Sequence, residues 1–139
     1  MAKTGEVKMT NKLVADWHAY MDSPSEGALR DMLHEDCEFL SPVVFTPQKG
    51  RDLTMMYLLS AGQVFGDTAF RYTNELVGES RMVLEFESEM GGKYVNGVDI
   101  IDFNDEGKIT RFKVMVRPLQ AVNMLWERMG AMLEQMKSA

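Results

Sequence analysis

Between Phe70 and Pro118, apolar and polar side chains alternate with the period of a pleated strand. The alternation runs in four stretches: Phe70 to Val77, Arg81 to Glu89, Tyr94 to Phe103 and Thr110 to Arg117. The breaks between them, Gly78-Glu79-Ser80, Gly91-Gly92-Lys93 and Asn104-Asp105-Glu106-Gly107, are turn sequences that join neighbouring strands head to tail. Such a chain predicts an antiparallel meander, and a sheet that is apolar on one face needs a second layer to cover it.

The flanking sequence supplies that layer. After a loose arm over residues 1–9, Thr10 or Asn11 is placed to cap a helix that runs to Asp22 with Leu13, Val14, Trp17 and Met21 on one face. A short helix from Glu26 to Leu33 and a strand from Cys37 to Val44 follow. Pro42 confines that strand to a sheet edge or to its own end. Beyond the loop Thr46-Pro47-Gln48-Lys49-Gly50, a third helix is expected over Arg51–Phe65, with Leu53, Met56, Tyr57, Ser60, Ala61 and Val64 near its buried side. After Pro118 the helical period returns with a stripe of Val122, Trp126, Met129, Leu133 and Met136. The fold class is therefore α+β, in one domain over residues 1–139, a length at which one core is sufficient.

Composition narrows the function classes. The formal charge of −6 opposes the phosphate neutralisation on which nucleic-acid affinity depends, and the basic residues are scattered. No apolar run is long enough to span a bilayer and the N-terminus lacks a signal-peptide pattern, so neither nucleic acid nor membrane is an expected partner and the expected compartment is the cytoplasm. The single cysteine, Cys37, permits no intrachain disulfide and no paired-cysteine metal motif. His34 is followed by Glu35, Asp36 and Glu38, but adjacent positions do not converge on one ion, so no metal is expected. No glycine-rich phosphate loop or nucleophile elbow is present, and no cofactor is expected.

Strand parity separates inside from outside. Met82, Leu84, Phe86 and Ser88 share one face while Val83, Glu85, Glu87 and Glu89 share the other. In the last strand Phe112, Val114 and Val116 oppose Arg111, Lys113, Met115 and Arg117. The outer face thus carries an acidic row and a basic row, with Val98 and Ile100 between them. It reads either as a solvated surface or as the interface of a homodimer. Asp99 has the parity of Ile101 and Phe103 and points toward the helices. A carboxylate there must be hydrogen-bonded, carry a raised pKa or face a wet cavity, and each of these marks a site.

The strings LHEDCEFLSPVVF, KGRDLTMMYLL and NGVDIIDFNDEGKITRF, in this order of elements, resemble the nuclear-transport-factor-2-like superfamily. Within it they are most similar to the SnoaL-like polyketide-cyclase and ketosteroid-isomerase-like branches, and the resemblance covers most of the chain. It implies a cystatin-like cone: a strongly curved sheet, mixed or antiparallel, with N-terminal helices on its concave face, an additional C-terminal helix, and a pocket open at one end. Enzymes and binding proteins share that shape. The resemblance to the steroid-isomerase pattern would want a tyrosine in the first helix, a carboxylate just before the first-strand proline and a carboxylic acid on the third meander strand. Trp17, Ser41 and Asp99 stand at those places, so only the last is retained.

The expected site follows from these two lines. Asp99 is the acid/base candidate, and Ser41 is a hydroxyl that would orient a substrate oxygen or water, since an unassisted serine is no base near neutral pH. Trp17, Tyr20, Phe39, Phe45, Tyr57, Phe86, Phe103 and Phe112 are candidate pocket residues, each of which reads equally as core. Tyr20, Tyr57 and Tyr72 can each aim a hydroxyl at a ligand, although the sequence does not place those hydroxyls. The expected partner is a small apolar, oxygen-containing compound. It is either turned over by isomerisation, elimination or hydrolysis without a cofactor, or simply bound.

Overall fold

The computed structural model describes residues 4–138. Helix α1 (Thr4–Asp22) and helix α2 (Glu26–Met32) lead into strand β1 (Leu33–Leu40) and the short strand β2 (Gln48–Lys49). Helix α3 (Arg51–Phe65), the meander β3 (Arg71–Val77), β4 (Arg81–Met90), β5 (Lys93–Phe103) and β6 (Ile109–Arg117), and helix α4 (Leu119–Ser138) complete the chain. One six-stranded sheet has the order β2-β1-β6-β5-β4-β3, antiparallel throughout except for the parallel pair β1 and β6. Register shifts in β1 against β6, in β3 against β4 and in β5 against β6 bend the strands, so the sheet curves without closing.

The meander follows the alternation closely. Helix α3 has its expected bounds, but Thr54, Met55 and Leu58 join Ser60 and Val64 on its buried side, while Leu53, Met56 and Tyr57, expected there, are half-buried. Three further differences have physical causes. Residues 4–9 were expected as a loose arm but belong to α1, because Glu6, Val7, Lys8 and Met9 contain no helix breaker; residues 1–3 lie outside the described residues. Strand β1 starts at Leu33 and ends at Leu40, so Pro42 sits in a turn rather than in the ladder that its missing N–H would interrupt. On α4 the buried stripe is Ala121, Leu125 and Met129, and Trp126 is 64 % exposed. Met129 belongs to the expected stripe as well, but Ala121 and Leu125 join it in packing with Phe86 and Val95 of the sheet in place of Val122 and Trp126.

The concave face is apolar in the parity that the sequence dictates. Met82, Leu84, Phe86 and Met90 of β4 and Val95, Ile101 and Phe103 of β5 are buried, whereas Val83, Val98 and Ile100 on the other face are half-buried. Two clusters cover it. One joins Leu13 and Trp17 of α1 with Leu29, Phe39, Leu58 and Phe112, and the other joins Phe86 and Val95 with Ala121, Leu125 and Met129 of α4. The helices therefore cap the sheet in two halves, and the seam between the halves is where space remains. Gly97 on β5 lets the ring of Phe86 sit against the sheet: a Cβ at this position would lie 2.5 Å from Phe86 Cζ and 2.5 Å from the Met115 carbonyl oxygen. Among the described residues no helix is long and apolar enough to cross a membrane.

Candidate functional site

At the seam lies a cavity of about 480 Å³, a volume within the range of small-molecule sites. Its wall takes side chains from both core clusters: Trp17, Phe39, Leu58 and Phe112 from one and Phe86, Leu125 and Met129 from the other. Ser41, Pro42 and Val43 of the β1–β2 loop and Gly66, Ala69 and Phe70 of the α3–β3 loop also border it. The wall is overwhelmingly apolar, and among the described residues Asp99 is its one carboxyl group.

Asp99 reaches the cavity because the sheet register sets it between Leu84 of β4 and Val114 of β6 on the inward face. It is 7 % exposed. Its Oδ2 accepts a hydrogen bond of 2.6 Å from the Tyr72 hydroxyl, and the Tyr72 oxygen in turn accepts the indole N–H of Trp17 at 3.1 Å. An indole nitrogen only donates, which fixes the direction of the chain from Trp17 through Tyr72 to Asp99. Burial raises the Asp99 pKa to about 7, and the Tyr72 hydrogen bond pulls it back only in part. Burial, then the charge of Asp99, pushes the Tyr72 phenol well above its ordinary value, so Tyr72 remains a donor across the neutral range. A carboxyl that titrates near neutrality in an apolar pocket can give or take a proton at working pH.

Ser41 borders the cavity, but its Oγ accepts the backbone N–H groups of Val43 at 3.1 Å and Val44 at 3.3 Å. Its first task is to hold the turn after β1, as serine does in such turns, which leaves the hydroxyl proton as its contribution to a ligand. Trp17, Tyr20, Phe39, Phe86 and Phe112 all line the cavity; the rings of Trp17 and Tyr20 stack at 5.3 Å and those of Trp17 and Phe112 meet at 5.2 Å.

Three of the expected pocket residues are elsewhere. Phe45 is 100 % exposed, because the Ser41 turn throws the segment after Val44 outward. Tyr57 is behind the wall with its ring stacked on Phe39 at 5.2 Å, and Phe103 is buried in the first core cluster. Tyr72 is the functional side chain whose role the sequence left open. It lies on the inward side of β3 opposite Phe86, and its contact with Asp99 spans two strand pairings, which no local signal encodes.

Two neighbouring groups complete the site's surroundings. His18 is half-exposed, pairs with Glu75 of β3 at 2.5 Å and meets the Tyr72 ring edge-on, so Trp17 and His18 together tie α1 to β3. Cys37 is fully buried and its thiol is pushed up by that burial, which is the environment of an inert thiol. Among the described residues no group of three or more histidine, cysteine or acidic side chains is disposed to hold a metal ion.

No protein-family model matches the sequence, and neither does any curated protein. Solved structures do. A steroid delta-isomerase from Pseudomonas aeruginosa is 32% identical, with 94% of this chain and 96% of that chain covered and a TM-score of 0.88. An uncharacterised bacterial protein with a cystatin-like fold from Silicibacter pomeroyi DSS-3 is 31% identical over 86% of this chain and 83% of that one, with a TM-score of 0.79. An NTF2-like protein from Mesorhizobium loti shares the fold at 21% identity over 80% of this chain and 93% of its own, with a TM-score of 0.68. With its curved six-stranded sheet, its capping helices and these relatives, the chain belongs to the nuclear-transport-factor-2-like superfamily.

Proposed function

We propose that this protein holds an apolar, oxygen-containing small molecule in the cavity and that Asp99 acts on the ligand oxygen as acid or base. The observation that carries this reading is the buried carboxyl at the cavity wall, fixed through Oδ2 by Tyr72 and titrating at about 7. In its protonated state the carboxyl donates to a carbonyl or ether oxygen, and ionised it accepts a hydroxyl proton. The steroid delta-isomerase relative supports a compound of that size and chemistry. Ser41, engaged with the turn, offers no base, so the proposal routes its proton transfers through Asp99. In the catalytic form of the proposal Asp99 takes a proton from the ligand and returns it, or gives one and recovers it, as in an isomerase, lyase or hydrolase step served by one acid/base group. Binding without turnover is its simpler form.

Carboxyl-selective NMR titration of Asp99, assigned with Asp99→Asn, tests this reading. The wild type is expected to titrate near 7, and Tyr72→Phe is expected to titrate higher because it removes the hydrogen bond that favours the ionised form. Addition of a polycyclic ketone such as androstenedione is expected to shift the carboxyl signal. An ordinary carboxylate titration in the wild type would overturn the acid/base role, and a signal indifferent to ketones and alcohols of this class would overturn the ligand.

A second surface supports assembly as a homodimer. Register aligns Leu76, Val83 and Ile100 in one outer row that ends at Lys113, and Val98 and Met115 in the next beside Glu85 and Asn74, which makes a mixed apolar and charged surface across β3 to β6. Leu76 is 73 % and Met115 49 % exposed, a use of apolar surface that suits burial against a second copy. Ile100→Glu is expected to shift the protein from dimer to monomer in light scattering after size-exclusion chromatography. A monomeric wild type would remove this reading.

A further inference from the structure

We propose that the cavity also takes compounds bearing a protonated amine on an apolar body, with the ammonium group seated against Asp99 as its counter-ion. The inference rests on the cavity being a ligand pocket and adds a second ligand class to it: an oxygen ligand can use the protonated carboxyl, and an amine uses the ionised one.

The argument begins with what surrounds the carboxylate. Among the described residues, no lysine, arginine or histidine contributes to the cavity wall. None of the ion pairs among the described residues includes Asp99. The facing groups can be followed element by element. From β3 comes Tyr72, which gives its one hydroxyl proton to Oδ2, with Glu75 beyond it held by His18 of α1. From α1 come Trp17, whose N–H is spent on Tyr72, and the phenol of Tyr20, which burial keeps neutral. Among the described residues, strands β4 and β6 and helices α3 and α4 present only apolar side chains to the cavity, and the β1–β2 loop adds the Ser41 hydroxyl.

Buried carboxylates in proteins are ordinarily paired with a cation, and here the protein supplies a hydrogen bond but no positive charge. A cation brought by the ligand fills that deficit. The wall is suited to it in a second, independent way: aromatic rings of Trp17, Tyr20, Phe39, Phe70, Phe86 and Phe112 border the same space, and ring faces attract ammonium groups. The apolar remainder of the wall takes the body of the compound. An inorganic cation or a small hydrophilic amine would fill none of this apolar space.

The test is isothermal titration calorimetry of the full chain with two matched pairs, 1-adamantanemethylamine against 1-adamantanemethanol and dehydroabietylamine against its alcohol, at about pH 5 and about pH 8. Because the amine selects ionised Asp99, its affinity is expected to rise by roughly ten- to a hundredfold between the two conditions, with no such rise for the alcohol. At about pH 6, amine binding is expected to release close to one proton, read from the heats in buffers of different ionisation enthalpy, because Asp99 must ionise to form the pair. Asp99→Asn, checked for folding by thermal unfolding, is expected to lose the pH dependence for the amine. An amine that binds no more tightly at about pH 8 than at about pH 5, or that releases no proton, while the alcohol binds, would overturn the amine proposal and leave the pocket reading standing. Failure of both members of both pairs to bind the wild type would overturn the pocket reading and the amine proposal with it.

Discussion

Asp99→Asn is expected to gain stability over the wild type as pH rises from about 4 to about 7, by on the order of 3 kcal/mol. The carboxyl titrates at about 7 in the folded protein, against 3.8 for an unperturbed aspartate. Between those values the folded protein retains a proton that the unfolded chain has released. The stability tied to protonated Asp99 is therefore complete in acid and is lost as pH rises through about 7. Asparagine keeps the shape and can still accept the Tyr72 hydroxyl, but has no charge to desolvate, so the variant lacks that loss. Glu85 moves the opposite way, lowered by hydrogen bonds from Asn96 and Asn74, but it is common to both proteins and drops out of the difference. Urea denaturation of both proteins across this range measures the effect. Parallel stability profiles would mean that Asp99 is not held in an apolar environment, and the acid/base proposal would lose its basis.

Gly97→Ala is expected to destabilise the fold by about 3 kcal/mol, at the upper end of what one added methyl group costs in a packed interior. The new Cβ would meet both the Met115 carbonyl oxygen and the Phe86 ring at 2.5 Å. Neither has an easy escape. The carbonyl belongs to the neighbouring strand β6, and the Phe86 ring is stacked on Phe70 at 4.9 Å and edge-on to Phe65 at 5.7 Å. If the ring yields, it moves into the cavity that it lines, so residual folded protein is expected to lose ligand affinity as well. Chemical denaturation reads the first effect and calorimetric titration with an apolar probe reads the second. A variant as stable as the wild type would show that β5 can flatten at this point, and the close approach of Phe86 would then not be what shapes this end of the pocket.

The sequence alone determined the order of the main elements and the face that each meander strand presents. Alternation over Phe70 to Pro118 defined the meander, the turns between the stretches fixed its antiparallel order, and parity placed Asp99 on the inward side with Ile101 and Phe103. These features are legible because they are local: a period of two or of 3.6 residues is written into consecutive side chains. Parity also identified a carboxyl group that needed an explanation before any contact was known.

Tertiary structure alone decided which elements meet. The parallel pairing of β1 with β6 joins segments far apart in the chain, and the contact of Tyr72 with Asp99 depends on two successive registers, β3 on β4 and β4 on β5. The donation from Trp17 to Tyr72 further depends on where α1 lands over the sheet. Ser41 borders the cavity while its oxygen accepts the backbone N–H groups of its own turn, and Phe45 is turned outward after that turn. On α4 the packing of Ala121, Leu125 and Met129 with Phe86 and Val95 chose a face that leaves Trp126 in solvent. In each case the deciding term is the fit between surfaces from distant parts of the chain, and side-chain periodicity, which reports the apolar face of one element at a time, contains no information about that fit.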